Sequence, residues 1–222
     1  MPTDLPRVAI LGGAGKEGTG LALRWAAAGY GILIGSRQIE RAKLAADSIN
    51  NQLGINSVLG LTNINAALQA EICVLTVIHS AHRQALESVK DVLPGKILVD
   101  ATSRVDFRNP KPPKPPCAAQ EAQSLLDRSV RVVAAFQNVP AKSLMKNIGK
   151  PMDADVLVCS DDIAAAEQVI MLAKAAGMWG YYAGGLANAI IVEGLTSILI
   201  SLNKHYGINN TSIKVIGVQS ER

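Results

Sequence analysis

Cysteine is scarce in this chain of 222 residues: Cys73, Cys117 and Cys159 stand far apart, with no C-x-x-C and no Cys/His cluster. That spacing argues against dithiol redox chemistry and against a metal site, and two of the three lie in apolar runs where a small buried thiol is ordinary. Aromatics make up only 4% of the residues, and no basic run alternates with them, so a nucleic-acid track is not expected. The net charge of +4 suits small anions instead. No apolar signal core stands in residues 1–6, which makes a cytoplasmic location the expectation. The most apolar stretch, residues 186–202, is short for a membrane span and carries Asn188 and Glu193. Burial between a sheet and a partner subunit is expected there, and with it a homodimer or higher homo-oligomer. Ser143 has neither a nucleophile elbow nor a base near it in sequence, so hydrolase chemistry finds no support.

What the chain does have is glycine in a telling place. Gly13, Gly15 and Gly18 sit at G-x-G-x-x-G spacing between an apolar strand with β-branched Val8 and Ile10 and a helix pattern through Leu21, Leu23 and Trp25. The first glycine permits a tight strand-to-helix turn, the second lets backbone approach a pyrophosphate, and the third lets helix and strand pack closely. The second predicted strand ends at Ser36-Arg37, where a site selecting NAD carries an acid for the ribose 2′-hydroxyl. A hydroxyl and a guanidinium, with Arg41 one turn on, suit a 2′-phosphate, so NADP is the expected nucleotide. The alternative is that these cations only solvate the start of a surface helix.

Strands are expected near 7–12, 30–35, 57–61, 72–78, 96–100, 131–135, 155–159 and 178–182. Helices are expected near 16–28, 38–53, 64–70, 81–92, 118–128 and 161–176. The runs are too continuously apolar for a half-wet sheet, so the fold class is α/β, a doubly wound parallel Rossmann sheet with a small C-terminal helical extension. The expected division is a nucleotide-binding domain over residues 1–183 and a cleft-lining, oligomer-forming segment over 184–222. Two regions break the alternation. Residues 106–116 hold five prolines and two lysines, which exclude helix and ladder alike. They read either as a cleft-edge flap, bringing Arg104, Arg108, Lys111 and Lys114 to an anionic ligand, or as a solvated insertion. The other break is the apolar C-terminal segment, in which Glu193 is expected to be a buried or interfacial carboxylate paired by a neighbour's donor rather than a proton relay. His79 is expected at the cleft edge, His82 exposed on the following helix, and Trp25, Trp179 and Tyr182 in packing roles.

Gly12-Gly-Ala-Gly-Lys-Glu-Gly18, Gly35-Ser-Arg37, Val139-Pro-Ala141, Val192-Glu-Gly-Leu-Thr196 and Ile213-Lys-Val-Ile-Gly217 occur together in this order. With them the chain resembles, over practically its whole length, the NADPH-dependent coenzyme F420 reductases. The resemblance implies hydride exchange between C4 of the NADP nicotinamide and C5 of the deazaflavin coenzyme F420. It places the pyrophosphate against Ala14, Gly15, Lys16 and Glu17, and the 2′-phosphate against Ser36, Arg37 and Arg41. It further implies nicotinamide-side contacts from His79, Arg83 and Ala141, and a deazaflavin pocket around Gln137, Asn138 and Val139. The chain departs from that family in having Ile78-His79 in place of a Pro-aromatic pair and Gln137 in place of a histidine. Its stretch from Asp100 through the prolines looks closer to Rossmann domains serving other acceptors, such as the ferric-reductase relatives.

Direct hydride transfer needs the two rings held face to face more than it needs a catalytic acid. Negative charge develops on the pyrimidine end of the deazaflavin, and the expected donors are backbone N–H groups of residues 137–141 with the Gln137 or Asn138 amide. An NADPH-dependent reductase of a flavin, ferric complex, carbonyl or imine, and a non-catalytic NADP-binding protein, stand as the alternatives.

Overall fold

The computed structural model describes residues 5–218, so part of the N-terminal stretch read above lies outside it. In chain order the elements are β1 (Val8–Leu11), α1 (Lys16–Ala27), β2 (Ile32–Ser36), α2 (Ile39–Leu53), β3 (Val58–Thr62), α3 (Asn63–Leu68), β4 (Ile72–Leu75) and α4 (His79–Val89). There follow β5 (Ile97–Asp100), α5 (Ala118–Leu125), β6 (Arg131–Ala134), α6 (Ala141–Leu144), β7 (Asp155–Val158), α7 (Ile163–Ala175), β8 (Trp179–Tyr182) and α8 (Ala189–Tyr206). Six strands form one parallel sheet in the order β3-β2-β1-β4-β5-β6, the order that places a dinucleotide crevice beside β1.

Successive residues of a strand face opposite sides, and here both sides are covered. Val8 and Ile10 join Leu21, Trp25 and Val99 in one core, while Ala9 and Leu11 join Cys73, Leu75 and Leu86 in the other. That explains strands read as unbroken apolar runs. Trp25 is fully buried and its indole N–H donates to the Leu172 carbonyl at 2.8 Å, stapling α1 to α7. Trp179 is only partly covered and Tyr182 is exposed.

The sheet does not extend to all eight strands. β7 and β8 pair only with each other, in parallel. Beyond β6 the chain returns in the opposite direction, and Ala134 and Cys159 make a single antiparallel bridge through two backbone hydrogen bonds. A reversed strand cannot continue a parallel crossover series, so the ladder breaks there. At the opposite edge the Asn50 side chain both donates to the Val58 carbonyl, at 2.9 Å, and accepts from its N–H, at 3.1 Å.

By length and composition alone, Leu186–Tyr206 could cross a membrane. In the fold it lies against the Rossmann body, with Val192, Glu193, Thr196 and Leu199 buried, and ends at Gly207, whose φ of 65° suits glycine. The chain then runs back beside β7, where the Asp155 N–H donates to the Ile213 carbonyl and the Asp155 carboxylate accepts from the Val215 N–H.

Candidate active site

The glycine loop separates two demands on the chain. A β-carbon on Gly13 would meet the Ile10 carbonyl oxygen at 2.6 Å, and one on Gly18 would meet the Gly13 Cα at 2.6 Å. Both glycines are thus required by the protein's own backbone. At Gly15 the nearest atom to such a carbon is the Gly12 carbonyl oxygen at 3.8 Å, so the space above it is free for a ligand. This loop opens into a cavity of about 780 Å³ whose floor is Thr76, Val77 and Ile78 and whose far wall is Gln137, Asn138, Val139 and Ala141. Lys16 and Glu17 line it too. Ala14 lines the adjoining hollow. Glu17 stands half-buried in the first turn of α1, and loss of water pushes its pKa up to about 8.

Ser36 and Arg37 close the end of β2 beyond the glycine loop. The Ser36 hydroxyl is buried and accepts from the Gln38 N–H at 3.2 Å, which leaves its proton for another partner. Arg37 reaches only the Gln84 side chain, at 3.4 Å, and Arg41 is exposed on α2. The polar residue behind the loop is Asn63, whose side-chain oxygen accepts from the Gly12 N–H at 3.2 Å. A 2′-phosphate there would face two cations and no carboxylate from β2.

The far wall is made by a strained turn. Phe136, at φ 74°, is a buried non-glycine residue in the left-handed region, held by edge-on packing against Trp25 with ring centroids 5.7 Å apart. The turn aims residues 137–139 into the cavity. The Gln137 amide nitrogen donates to the Asp100 carbonyl at 2.8 Å, and since that carbonyl can only accept, it fixes which way the amide lies. The Asn138 amide gives both hydrogens to α8, one to the Val192 carbonyl at 3.0 Å and one to the Thr196 hydroxyl at 3.1 Å. Thr196 in turn donates to the Gln137 carbonyl at 3.1 Å. The expectation that the Asn138 amide donates to a bound ring is therefore corrected: it has no hydrogen left, and it ties the turn to α8. Among the described residues, the Gln137 and Asn138 backbone N–H groups have no acceptor. Buried and without partners are the Gln137 Oε1, the Asn138 Oδ1 and the Ser103 Oγ, on residues that all line the cavity. Thr102 Oγ1, Asp155 Oδ1 and Tyr181 OH are also buried without hydrogen-bond partners, on residues that do not line the cavity. Such atoms are costly, and the three on the cavity wall are open to a ligand's groups.

Thr196, Leu199, Asn203, Asn209 and Thr211 complete the lining from α8 and the segment after it. The clamp that seats α8 was invisible in the sequence. Glu193 accepts from the Arg104 N–H and Nε, each at 2.9 Å, and from the Ala118 N–H at 2.8 Å. This is the buried, donor-paired carboxylate expected. Arg104 is thereby committed, reaching also Glu121 at 3.2 Å and the Lys114 carbonyl at 2.7 Å. Of the proline-rich stretch, Phe107 reaches the cavity, whereas Arg108, Lys111 and Lys114 do not line it.

Three histidine and arginine expectations need correction. His79 and Arg83 do not reach the glycine-loop cavity: α4 begins at His79 and turns both side chains toward α5, where they line a separate hollow with Glu121, and Ile78 faces the main cavity instead. His79 lies 3.8 Å from Glu121, and Arg83 pairs with Glu87 at 3.5 Å. His82 is not exposed but 2% accessible, with its Nε2 2.7 Å from the Asp100 carboxylate. Burial disfavours its charged form. The hydrogen bond to Asp100 and the charges of Asp100, Glu121 and Glu193 outweigh that and hold its pKa above the ordinary value. The other Asp100 oxygen accepts from the Thr102 N–H at 2.9 Å, so this pair shapes the loop ending in Ser103. Helical spacing placed His82 correctly on α4, but nothing local announced Asp100.

A last contributor is Arg24 in α1, buried at 4% accessibility. Its guanidinium donates to the carbonyls of Leu144, Lys146, Lys150 and Ala176 at 2.6–3.2 Å, which pins the segment after α6 onto α1.

This geometry has counterparts. Residues 7–104 match the family described as "NADP oxidoreductase coenzyme F420-dependent". The F420-dependent NADP reductase of Methanothermobacter thermautotrophicus is 37% identical over 225 residues, covering 97% of both chains. That of Methanothermobacter marburgensis is 38% identical, covering 94% of this chain and 97% of its own. A crystal structure of a candidate F420-dependent NADP reductase from Arthrobacter sp. FB24 superposes with a TM-score of 0.79 at 26% identity, covering 96% of this chain and all of that one. At 37–38% identity over 94–97% of its length, the chain belongs to the family of F420-dependent NADP reductases.

Proposed function

We infer that the chain is an oxidoreductase exchanging hydride between NADP(H) and coenzyme F420. The observation that carries this is the single cavity running from the open face of Gly15 to the turn at Gln137, walled by unpartnered polar atoms and closed by α8. NADP and F420 supply the hydride donor and acceptor carbons themselves. The chain's own task is to place them and to exclude water.

The pyrophosphate is assigned to the N-terminus of α1 over Ala14, Gly15, Lys16 and Glu17, and the 2′-phosphate to Ser36, Arg37 and Arg41. The reactive rings are assigned to the cavity between Ile78 and Val139–Ala141. There the side-chain oxygens Gln137 Oε1 and Asn138 Oδ1 accept from ring or carboxamide N–H groups, and the backbone N–H groups of the turn meet charge developing on the pyrimidine. In the proposed division at 183/184, the described residues before it carry the nucleotide site and the 136–141 wall, and α8 with Asn209 and Thr211 roofs the cleft. The outer face of α8 leaves Ile191 and Ile198 exposed, and a homodimer or higher homo-oligomer formed there is part of the proposal. Three free, buried cysteines fit a reducing cytoplasm.

The deciding assay follows NADPH oxidation by the purified protein with F420, beside FMN, FAD and ferric chelates. Rapid turnover with F420 alone is expected, and turnover only with a flavin or iron complex overturns the reading. Gln137→Leu should slow F420 reduction about tenfold or more while NADPH affinity holds. An unchanged rate would mean that the ring is held elsewhere. Ile198→Asp should shift light scattering toward monomer, and a native chain already monomeric would remove the oligomer from the proposal.

A further inference from the structure

Asp100 ends β5, is fully buried, and makes contacts on two sides. Its carboxylate meets His82 Nε2 at 2.7 Å and accepts from the Thr102 N–H at 2.9 Å. Since an ionised carboxylate can only accept, His82 Nε2 is the donor. The Asp100 carbonyl accepts from the Ala135 N–H at 3.3 Å and from the Gln137 amide at 2.8 Å. One residue thus joins α4 to the turn that walls the ring cavity. The Gln137 amide, held by that carbonyl, leaves its Oε1 on the cavity wall without a partner. Neither His82 nor Asp100 lines the cavity itself.

A carboxylate shut away from water needs a neutralising partner, and His82 supplies one. His82 also borders the hollow of about 700 Å³ between α4 and α5, through which its proton can exchange with solvent. The groups around it are Asp100, Glu121 of α5 and Glu193 of α8, with Arg104 bonded to both glutamates. The Cys117 thiol beside Glu193 is pushed up by burial and stays neutral. On α4 itself, His79 and Arg83 border the same hollow. Three carboxylates against one guanidinium favour a charged His82, in keeping with its raised pKa. A charged donor makes its bond to Asp100 roughly twice as strong as a neutral one would.

We propose that His82 is a positioning residue for hydride exchange: paired with Asp100, it fixes the carbonyl that orients the Gln137 amide, and so aims Gln137 Oε1 at the bound acceptor ring. This rests on the hydride-exchange reading above and adds to it a residue that acts without touching either coenzyme. Loosening the pair lets the amide turn or drift, and the ring loses its fixed partner.

The test follows F420 reduction and NADPH binding across pH for the native protein, Gln137→Leu, His82→Gln and His82→Leu/Asp100→Leu, the last also combined with Gln137→Leu. The doubly apolar variant strands no buried charge, so its melting temperature should stay near the native one. Its kcat for F420 should fall about tenfold while the Kd for NADPH changes less than about twofold. With Gln137→Leu already present, the same two changes should cost less than about twofold, because the group they position is gone. His82→Gln keeps a donor to Asp100 but never carries a charge. It should turn over F420 as the native protein does above the His82 pKa and lag behind it below, the ratio of the two rates cancelling any titration of the coenzymes. Losses that add in full across the Gln137→Leu cycle, an equal weakening of NADPH, or a ratio independent of pH would each overturn the positioning role. The ratio decides even where the doubly apolar variant does not fold. A native protein that reduces no F420 would take down the hydride-exchange reading as well, whereas the other outcomes remove the positioning role alone.

Discussion

The nucleotide half and the acceptor half of the cleft are built by different physics. Around β1, α1 and β2 the shape is set by backbone: glycines too crowded to carry a β-carbon, a parallel ladder, and helix-end N–H groups facing outward. Around residues 100–104, 136–141 and α8 it is set by side chains that bind backbone far away in sequence, as Glu193 binds Arg104 and Ala118, and Asn138 binds Val192. Backbone devices leave a local signature. Side-chain tethers do not, because each partner is ordinary in its own neighbourhood and acquires a role only when the fold joins them.

The comparison is broken most sharply within the glycine loop itself. Gly13→Ala, driven into the Ile10 carbonyl, should destabilise by about 3 kcal/mol or more and give little folded protein in urea titrations. Gly15→Ala should melt like the native chain yet bind NADP at least about tenfold more weakly. If both merely unfold, or neither does, the division between structural and ligand-facing glycines is wrong.

On the acceptor side, Arg24→Met removes the donor from four carbonyls at once. A loss of about 2–4 kcal/mol is expected in denaturant midpoints, since charged hydrogen bonds and buried orphan groups are both costly. F420 turnover should fall further than the folded fraction, because residues 141–146 lose their anchor. An undiminished midpoint would show that packing alone holds the segment.

Arg37→Ala tests the nucleotide half by charge. NADPH affinity should drop about tenfold or more, the equivalent of about 1.5–3 kcal/mol for one charge-assisted phosphate contact, and NADH affinity should stay. Equal loss of both in calorimetric titrations would make Arg37 structural.

The smallest effect expected is one of pH. Burial holds the Glu17 carboxyl up to about 8, so it is neutral at lower pH and becomes an anion beside the assigned pyrophosphate site as pH rises through that value. NADP affinity should therefore decline a few-fold above about pH 8, and Glu17→Gln should flatten the decline. A profile unchanged by that substitution would assign the titration to another group.

The legibility of the sequence follows the same division. The parallel sheet, the glycine loop and the buried Glu193 could all be read, because spacing and apolar periodicity encode them. The break after β6 could not, since strand direction is a property of the loop's path and not of the residues in β7. His79 was assigned to the cleft by adjacency to β4 and Arg83 by the family resemblance, whereas both line the hollow that holds Glu121. His82 was expected in solvent because Asp100, eighteen residues on, supplies a buried partner that no local pattern signals.

The two flanks of the parallel sheet have a bearing on how copies of this chain meet. Unpaired strand edges are templates for uncontrolled association between molecules. Here the Asn50 amide occupies both hydrogen-bonding groups of Val58 on one flank, and the reversed Cys159 occupies those of Ala134 on the other. Each device caps the outward hydrogen-bonding groups at one end of an edge strand and so shortens the run open to a second molecule's strand. Asn50→Ala, which frees both groups of Val58, should therefore lengthen the open run and raise the tendency to associate by strand addition.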